Sequence, residues 1–351
     1  MSAARAGTVP GTLARRAAPG REAPGHEPLR HGAPGHGAPG HGALRHDALF
    51  HDDPAELTAL ATRFLREGLD AGEAAVLAVG AEVAGAVRAA LGDDPRLHVL
   101  DRAEVYRVRT PAAITALRRT AERLTAGGAP RVRVVGEPDF GGTEQDRHEW
   151  QRYEAVVNAA LADAPVWGLC AFGTRHLPEP VLGTARRTHH ALATAGGRAA
   201  NPDYAEPADV LRDLPAPREP LEDTRPRLLA RDVTDFIGLR HAVAAELAAV
   251  PGPREAVEDL LLAVDEMTSN AVRHGRPPVD LELWTGDGRV VCRITDRGDG
   301  PQDPFAGYGP AHGEDLSRGG MGLWLARQLC DHVHVARTAS GTSVRLVTRL
   351  R

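Results

Sequence analysis

Asp265-Glu266-Met267-Thr268-Ser269-Asn270-Ala271-Val272-Arg273-His274-Gly275 is the stretch on which the reading of this chain turns. It closes a helical pattern running from Arg254 to His274, with Leu261, Leu262, Val264 and Ala271 supplying apolar positions. Glu266 and Asn270 are four residues apart and therefore share one helix face. An amide oxygen is a suitable hard ligand for Mg2+. A carboxylate one turn earlier can orient or deprotonate a nucleophile. Taken alone, the pair is better read as an acidic and amide pair on a solvated surface.

Two further clusters lie downstream. Strand patterns over Val279 to Trp284 and Arg289 to Asp296 flank Gly286-Asp287-Gly288, a strong hairpin signal. The second strand runs into Asp296-Arg297-Gly298-Asp299-Gly300. A carboxylate at a strand end can accept from an amino group, and glycines beside it allow close approach to backbone. The third cluster is Ser317-Arg318-Gly319-Gly320-Met321-Gly322-Leu323-Trp324-Leu325, where glycines lead into a helix expected over Met321 to Leu329. Backbone N–H groups at such a start bind phosphate oxygens, and Arg318 adds charge. His332 to Arg337 and Thr342 to Thr348 close as a hairpin around Ser340-Gly341.

The order of these pieces, within about 120 residues and ending on Gly341-Thr342, strongly resembles the GHKL ATPases. The clusters look like that family's N, G1 and G2 boxes. The resemblance implies a Bergerat fold, an α/β sandwich with helices on one face of a mixed sheet, and a bound ATP with Mg2+. Asn270 would be the metal ligand and Asp296 the adenine contact. Arg273, Gly298, Gly300, Arg318, Gly319, Gly320, Met321, Gly322, Leu323 and Thr342 would complete the nucleotide site. Pro301 to Arg318 would be the ATP lid.

Upstream, strands alternate with helices: His46 to His51, Ala74 to Val79, Leu97 to Leu100, Arg131 to Val135 and Val166 to Phe172 as strands. Helical patterns over Ala55 to Gly68, Val83 to Leu91, Pro111 to Thr125 and Arg147 to Leu161 lie between them. That alternation implies an open, mostly parallel α/β sheet. His46-Asp47-Ala48-Leu49-Phe50, Phe64-Leu65-Arg66-Glu67-Gly68-Leu69, Arg133-Val134-Val135-Gly136-Glu137-Pro138, Arg152-Tyr153-Glu154-Ala155-Val156-Val157-Asn158, Leu169-Cys170-Ala171-Phe172 and Thr188-His189 resemble the MEDS sensory domain. The resemblance implies a RecA-like sheet and a sensory role. Cys170-Ala171-Phe172 departs from it, since Pro-Tyr is expected after the cysteine. His46, Glu137, Glu154 and Asn158 are candidate ligand contacts, set against a plainer reading as a helix-surface pair and a turn.

Composition sets the limits. The chain has 351 residues, 25% charged and 42% hydrophobic, with a net charge of −5, which does not resemble a nucleic-acid binder. All 42 basic side chains are arginine, which excludes a Walker A loop as usually built and Schiff-base chemistry. Cys170, Cys292 and Cys330 are far apart and form no CxxC pair, so they indicate neither a zinc site nor a disulfide framework. Without an apolar h-region or a long apolar run, a cytoplasmic chain that does not span a membrane is expected. Residues 1–43 are a Pro/Gly/His-rich tail expected to be disordered. Its His26, His31, His36 and His41 form at best a weak chelator. The expected domains are 44–193, a connection over 194–229 broken by prolines, and 230–351.

Within the GHKL group, no helical hairpin carrying a phosphoacceptor histidine is legible. The compact C-terminal domain instead looks like the anti-sigma-factor serine kinases. The resemblance implies a sigma factor or a STAS-type antagonist as partner, with Glu266 as catalytic base for a serine or threonine hydroxyl. A non-catalytic ATP-binding scaffold and a histidine-kinase-like signalling protein are the alternatives. A homodimer and a small-molecule ligand for the N-terminal domain stay open.

Overall fold

Short runs of Ala, Val and Leu build the first sheet. The computed structural model describes residues 43–107, 109–309 and 321–350. Strands β1 (Arg45–His51), β2 (Ala74–Ala78), β3 (Leu97–Val99), β4 (Val132–Gly136) and β5 (Val166–Gly173) are parallel to their neighbours, in the order β3-β2-β4-β5-β1. A hairpin, β6 (Ala191–Thr194) and β7 (Gly197–Ala200), extends the β1 edge, with β6 parallel to β1 and β7 antiparallel. β2 is buried along its whole length, as expected of a parallel strand covered on both faces. Alternate residues feed two cores. Leu49, Leu77, Val135 and Leu169 meet α1 (Pro54–Asp70) and α2 (Ala81–Leu91). Ala48, Val76, Val132 and Phe172 face α4 (Thr110–Ala126), α5 (Glu144–Ala160) and α6 (Glu179–Thr188). The short α3 (Arg102–Tyr106) follows β3.

The stretch expected as a connection over 194–229 is not featureless. It holds β7, α7 (Pro207–Asp213), a 3-10 turn (Pro220–Asp223) and β8 (Leu228–Ala230). Val210 and Leu211 of α7 join the core beneath α5 and α6. Leu221 caps the outer face of the second sheet with Trp284, Val291 and Val347.

The second sheet has the order β11-β12-β10-β9-β8, and every pairing is antiparallel, where a mixed sheet was expected. β9 (Asp280–Gly286) and β10 (Arg289–Asp296) join through Asp287-Gly288, both at positive φ, the tight turn that the sequence implied. β11 (His332–Thr338) and β12 (Gly341–Arg349) form the last hairpin. On the inner face lie α8 (Phe236–Ala248), α9 (Arg254–His274) and α10 (Gly322–Leu329). Leu260, Ala263, Val264, Met267 and Ala271 of α9 pack on Leu281, Leu283, Cys292, Ile294 and Leu346. The α/β sandwich expected of this domain is therefore formed, and the described residues of both domains belong to one compact unit. Among the described residues no helix is long and apolar enough to cross a membrane. The expected tail lies outside them.

Candidate functional site

The buried face of α9 fixes the helix against the second sheet, and that leaves Glu266 and Asn270 half-buried on its flank. Opposite them is the first residue of α10. A Cβ on Gly322 would lie 2.8 Å from Glu266 Oε2 and 2.9 Å from Asn270 Nδ2, so only glycine lets the helix start sit this close to both side chains. Met321, just before it, carries no side-chain cap, and the helix start depends on other groups for its N–H donors.

A second group forms where α9 ends. Asp296, buried at the end of β10, accepts through Oδ1 from the backbone N–H of Gly298 at 2.5 Å and of Arg276 at 3.3 Å. Both bonds fall on the same oxygen and orient the carboxylate. A Cβ on Gly275 would collide with that carboxylate, and one on Gly298 would lie 2.7 Å from it. Thr342, buried on β12, donates its hydroxyl to the Gly298 carbonyl at 2.8 Å. Gly300 takes φ +67°, and a Cβ there would lie 2.7 Å from the Thr342 hydroxyl. The Asp-x-Gly-x-Gly turn is thus clamped between the end of α9 and β12.

The first group lies on α9 and the second at its C-terminal end. Asn270 and Gly275 are five residues apart, roughly 7.5 Å along the axis. Arg273 is placed differently: it is exposed and lines a cavity of about 240 Å³ between α8 and α9, with Phe236, Leu239 and Arg240. Leu323 packs toward the domain core and the Gly307 backbone. Arg318, Gly319 and Gly320, and the expected lid from residue 310 onward, lie outside the described residues.

The base of that lid is described, and it leans on the N-terminal domain. Tyr308 is 2% exposed and shares a core with Trp150 and Tyr153 of α5. Arg152 Nε donates to its hydroxyl at 2.7 Å, and the Arg327 guanidinium of α10 sits 4.3 Å from its ring centre. Glu149 Oε1 accepts from Thr110 at 2.7 Å and lies 3.9 Å from Arg327. Asp146 pairs with Arg349 and faces His332 Nε2 at 3.4 Å. His148 and His334 meet across the same contact as tilted rings with centres 5.0 Å apart. Burial lowers the His148 pKa to about 4, and burial likewise lowers those of His332 and His334.

Of the N-terminal candidates, His46, Glu154 and Asn158 come together, and Glu137 does not. Glu137, at the end of β4, accepts from the Gly80 N–H at 2.8 Å and anchors the start of α2. His46 Nδ1 lies 3.0 Å from Asn158 Oδ1, and His46 Nε2 lies 3.2 Å from Cys170 Sγ and 3.6 Å from Glu154 Oε2. His189, just after α6, brings its Nε2 to 3.5 Å from the same carboxylate oxygen. Cys170 and His189 escaped the sequence reading as ligand candidates, because the members of this group come from four separate elements. Burial raises the Glu154 carboxyl to about 8, pushes the Cys170 thiol up and lowers His189 to about 3.

The fold joins an open, mostly parallel α/β domain to an α/β sandwich that carries a glycine-lined site. Residues 45–190 match MEDS, the MEthanogen/methylotroph, DcmR Sensory domain, and residues 229–348 match the histidine kinase-like ATPase domain. Serine-protein kinase RsbW of Bacillus licheniformis is 31% identical over 123 residues, covering 31% of this chain and 76% of that protein. Serine-protein kinase RsbW of Bacillus subtilis is 30% identical over 128 residues, 33% of this chain and 79% of that protein. A crystal structure of the RsbU and RsbW domains of a Mycobacterium tuberculosis protein aligns with a TM-score of 0.26 at 21% identity, over 40% of this chain and 38% of that one. Through its C-terminal domain the chain belongs to the histidine kinase-like ATPase family that includes serine-protein kinase RsbW, and its N-terminal domain is a MEDS domain.

Proposed function

We propose that this chain is an ATP-dependent protein serine/threonine kinase of the anti-sigma-factor type, acting on a STAS-type antagonist and governed by its MEDS domain. One observation carries the reading: Glu266 and Asn270 meet the glycine start of α10, while Asp296 is oriented by the backbone N–H groups of Arg276, just past the end of α9, and of Gly298. The separation of the two groups suits a ligand with a base at one end and phosphates at the other. The glycine cradle at residue 322, which a single Cβ would fill, fits phosphate oxygens at a helix start. Asp296 would take the adenine amino group, and Asn270 Oδ1 would hold Mg2+. When bound, the metal would draw charge from the phosphates.

Glu266 is the chain's own contribution to chemistry. Its carboxylate would accept the proton from the acceptor hydroxyl as that oxygen bonds to the γ-phosphorus. The bond between that phosphorus and the β–γ bridging oxygen breaks, and ADP leaves. Domains are assigned as 44–193 and 230–351. The sensory control is supported by Tyr308, which ties the lid base to α5. A sigma factor is the second partner that this reading implies.

The test pairs two substitutions. With radiolabelled ATP and a purified STAS-domain protein, Glu266→Ala should abolish label transfer and leave nucleotide affinity within about threefold. Asn270→Ala should weaken Mg-ATP binding by tenfold or more. Label transfer at the parent rate by E266A would refute the catalytic role, and ATP binding without any transfer by the parent chain would make this a scaffold.

A further inference from the structure

The His46, Glu154, Cys170 and His189 cluster is built as an ion site. Their ligand atoms all lie within 4.8 Å of one another, and the four residues come from β1, α5, β5 and the segment after α6. Three of them are buried, at 4% or less exposure for His46, Glu154 and His189. Both carboxylate oxygens of Glu154, and Nε2 of His189, make no hydrogen bond. Buried polar groups are rarely left so, and each unmatched group is costly to folding.

The surroundings settle which way the rings face. Asn158 Nδ2 donates to the Thr188 carbonyl at 2.7 Å and to the Glu154 carbonyl at 3.2 Å, so its Oδ1 is an acceptor. His46 Nδ1 must then carry the proton, and its Nε2 presents a lone pair to Cys170 and Glu154. His189 Nδ1 is held by the Ala185 carbonyl at 2.8 Å, so its Nε2 lone pair also faces Glu154. Two lone pairs and a carboxylate thus converge with one thiol, and the thiol can satisfy only His46. A single proton on Glu154 would not reach either imidazole, since both lie at 3.5 Å or more. A cation satisfies all four at once.

We infer that these four side chains bind one divalent transition-metal ion of the zinc class, within the MEDS domain and sharing no residue with the proposed nucleotide site. A tetrahedral ion with bonds of roughly 2.0–2.3 Å separates its ligand atoms by roughly 3.3–3.6 Å, close to the 3.2, 3.5 and 3.6 Å measured here. A thiolate and two imidazoles select against magnesium and calcium. On binding, the Cys170 thiol and the protonated Glu154 carboxyl each give up their proton to solvent. A thiolate and a carboxylate then neutralise the dication, which suits a buried site. Asn158 and the Ala185 carbonyl hold the far nitrogens of the two rings, the usual outer support of metal-binding histidines. The site stands or falls independently of kinase activity.

Cobalt titration of the full chain tests it. Co2+ added to chelator-treated protein should saturate at one thiolate-bound ion, read as a sulfur-to-cobalt charge-transfer band with tetrahedral d–d bands. The histidines of residues 1–42 cannot produce that band, because no cysteine lies among them. Cys170→Ser should remove it, and Glu154→Gln should keep the band but weaken Co2+ binding at least tenfold. Zn2+ should bleach the spectrum stoichiometrically. A parent chain without the charge-transfer band, or a band that survives C170S, overturns the assignment. The parent measurement decides even where a variant fails to fold.

Discussion

Gly322→Ala isolates the nucleotide site from the fold. The new methyl carbon would lie 2.8 Å from Glu266 Oε2, 2.9 Å from Asn270 Nδ2 and 3.3 Å from its Oδ1. Carbon settles at about 3.5 Å from such atoms, so both side chains must retreat by roughly 0.6 Å. They are the free ends of flexible, half-buried side chains, and a rotation of each absorbs the strain. Alanine also favours the helix it enters, so the cost in stability should stay below about 1 kcal/mol. The site is less forgiving, since catalytic groups must be held within about 0.5 Å of their working positions. Displacing the base and the metal ligand together should lower phosphotransfer by about tenfold to a hundredfold. The assay is the initial rate of label transfer at saturating ATP, set beside the thermal midpoint of the same preparation. A variant that transfers at the parent rate would refute the convergence of Glu266 and Asn270 on this helix start. A variant that unfolds would refute the argument that only side-chain ends must move.

Tyr308→Phe should cost about 2 kcal/mol in denaturant unfolding, since it leaves the Arg152 guanidinium without its 2.7 Å acceptor while keeping the ring beneath Arg327. It should also alter ATP affinity from a position outside the site; an unchanged affinity would separate the lid base from the sensory domain. The contact between domains should weaken in acid. His148 is held neutral by burial, with a pKa lowered from 6.5 to about 4. The unfolded chain binds protons first, so stability is full above about pH 6.5 and falls as pH drops toward 4, by up to ~3 kcal/mol from this group. Urea midpoints measured at pH 7.5 and pH 4.5 check this, and equal midpoints would contradict it.

The second domain was largely legible because its signals are local. Asp287-Gly288 sets a hairpin register, helical periodicity gives Arg254–His274 its bounds, and Asp296 follows directly from the end of a strand. The glycines at 275 and 341 belong to the same site for a reason that lies elsewhere in the chain. Each is needed where separate backbones cross Asp296. The stretch 194–229 hid its elements because prolines at helix starts, such as Pro207 and Pro220, look in sequence like the punctuation of a linker. The four-residue cluster was the least legible part. Spacing rules for cysteine detect ligands that share a loop, whereas residues 46, 154, 170 and 189 meet only after β1 and β5 pair and α5 covers them.

That same helix makes the two sites part of one mechanical problem. α5 carries Glu154 and Asn158 in its C-terminal half, and Asp146, His148, Glu149 and Arg152 in its N-terminal half. Glu149 and Glu154 are five residues apart, roughly 7.5 Å on a continuous helix. An ion that pulls Glu154 toward two histidines cannot shift that residue without loading the turn that holds Arg152. Arg152 in turn grips Tyr308, and Tyr308 is the base of the segment leading to α10. Coupling over such a distance needs an element with two arrangements that both sites bias. The structure shows one arrangement, Tyr308 seated between Arg152 and Arg327, and the proposed control requires a second in which that seat is vacated. A buried hydrogen-bonded and aromatic seat is a discrete contact, made or broken rather than stretched, so on the reading proposed above an ion bound at Glu154 would act on the nucleotide site by changing how often Tyr308 is held.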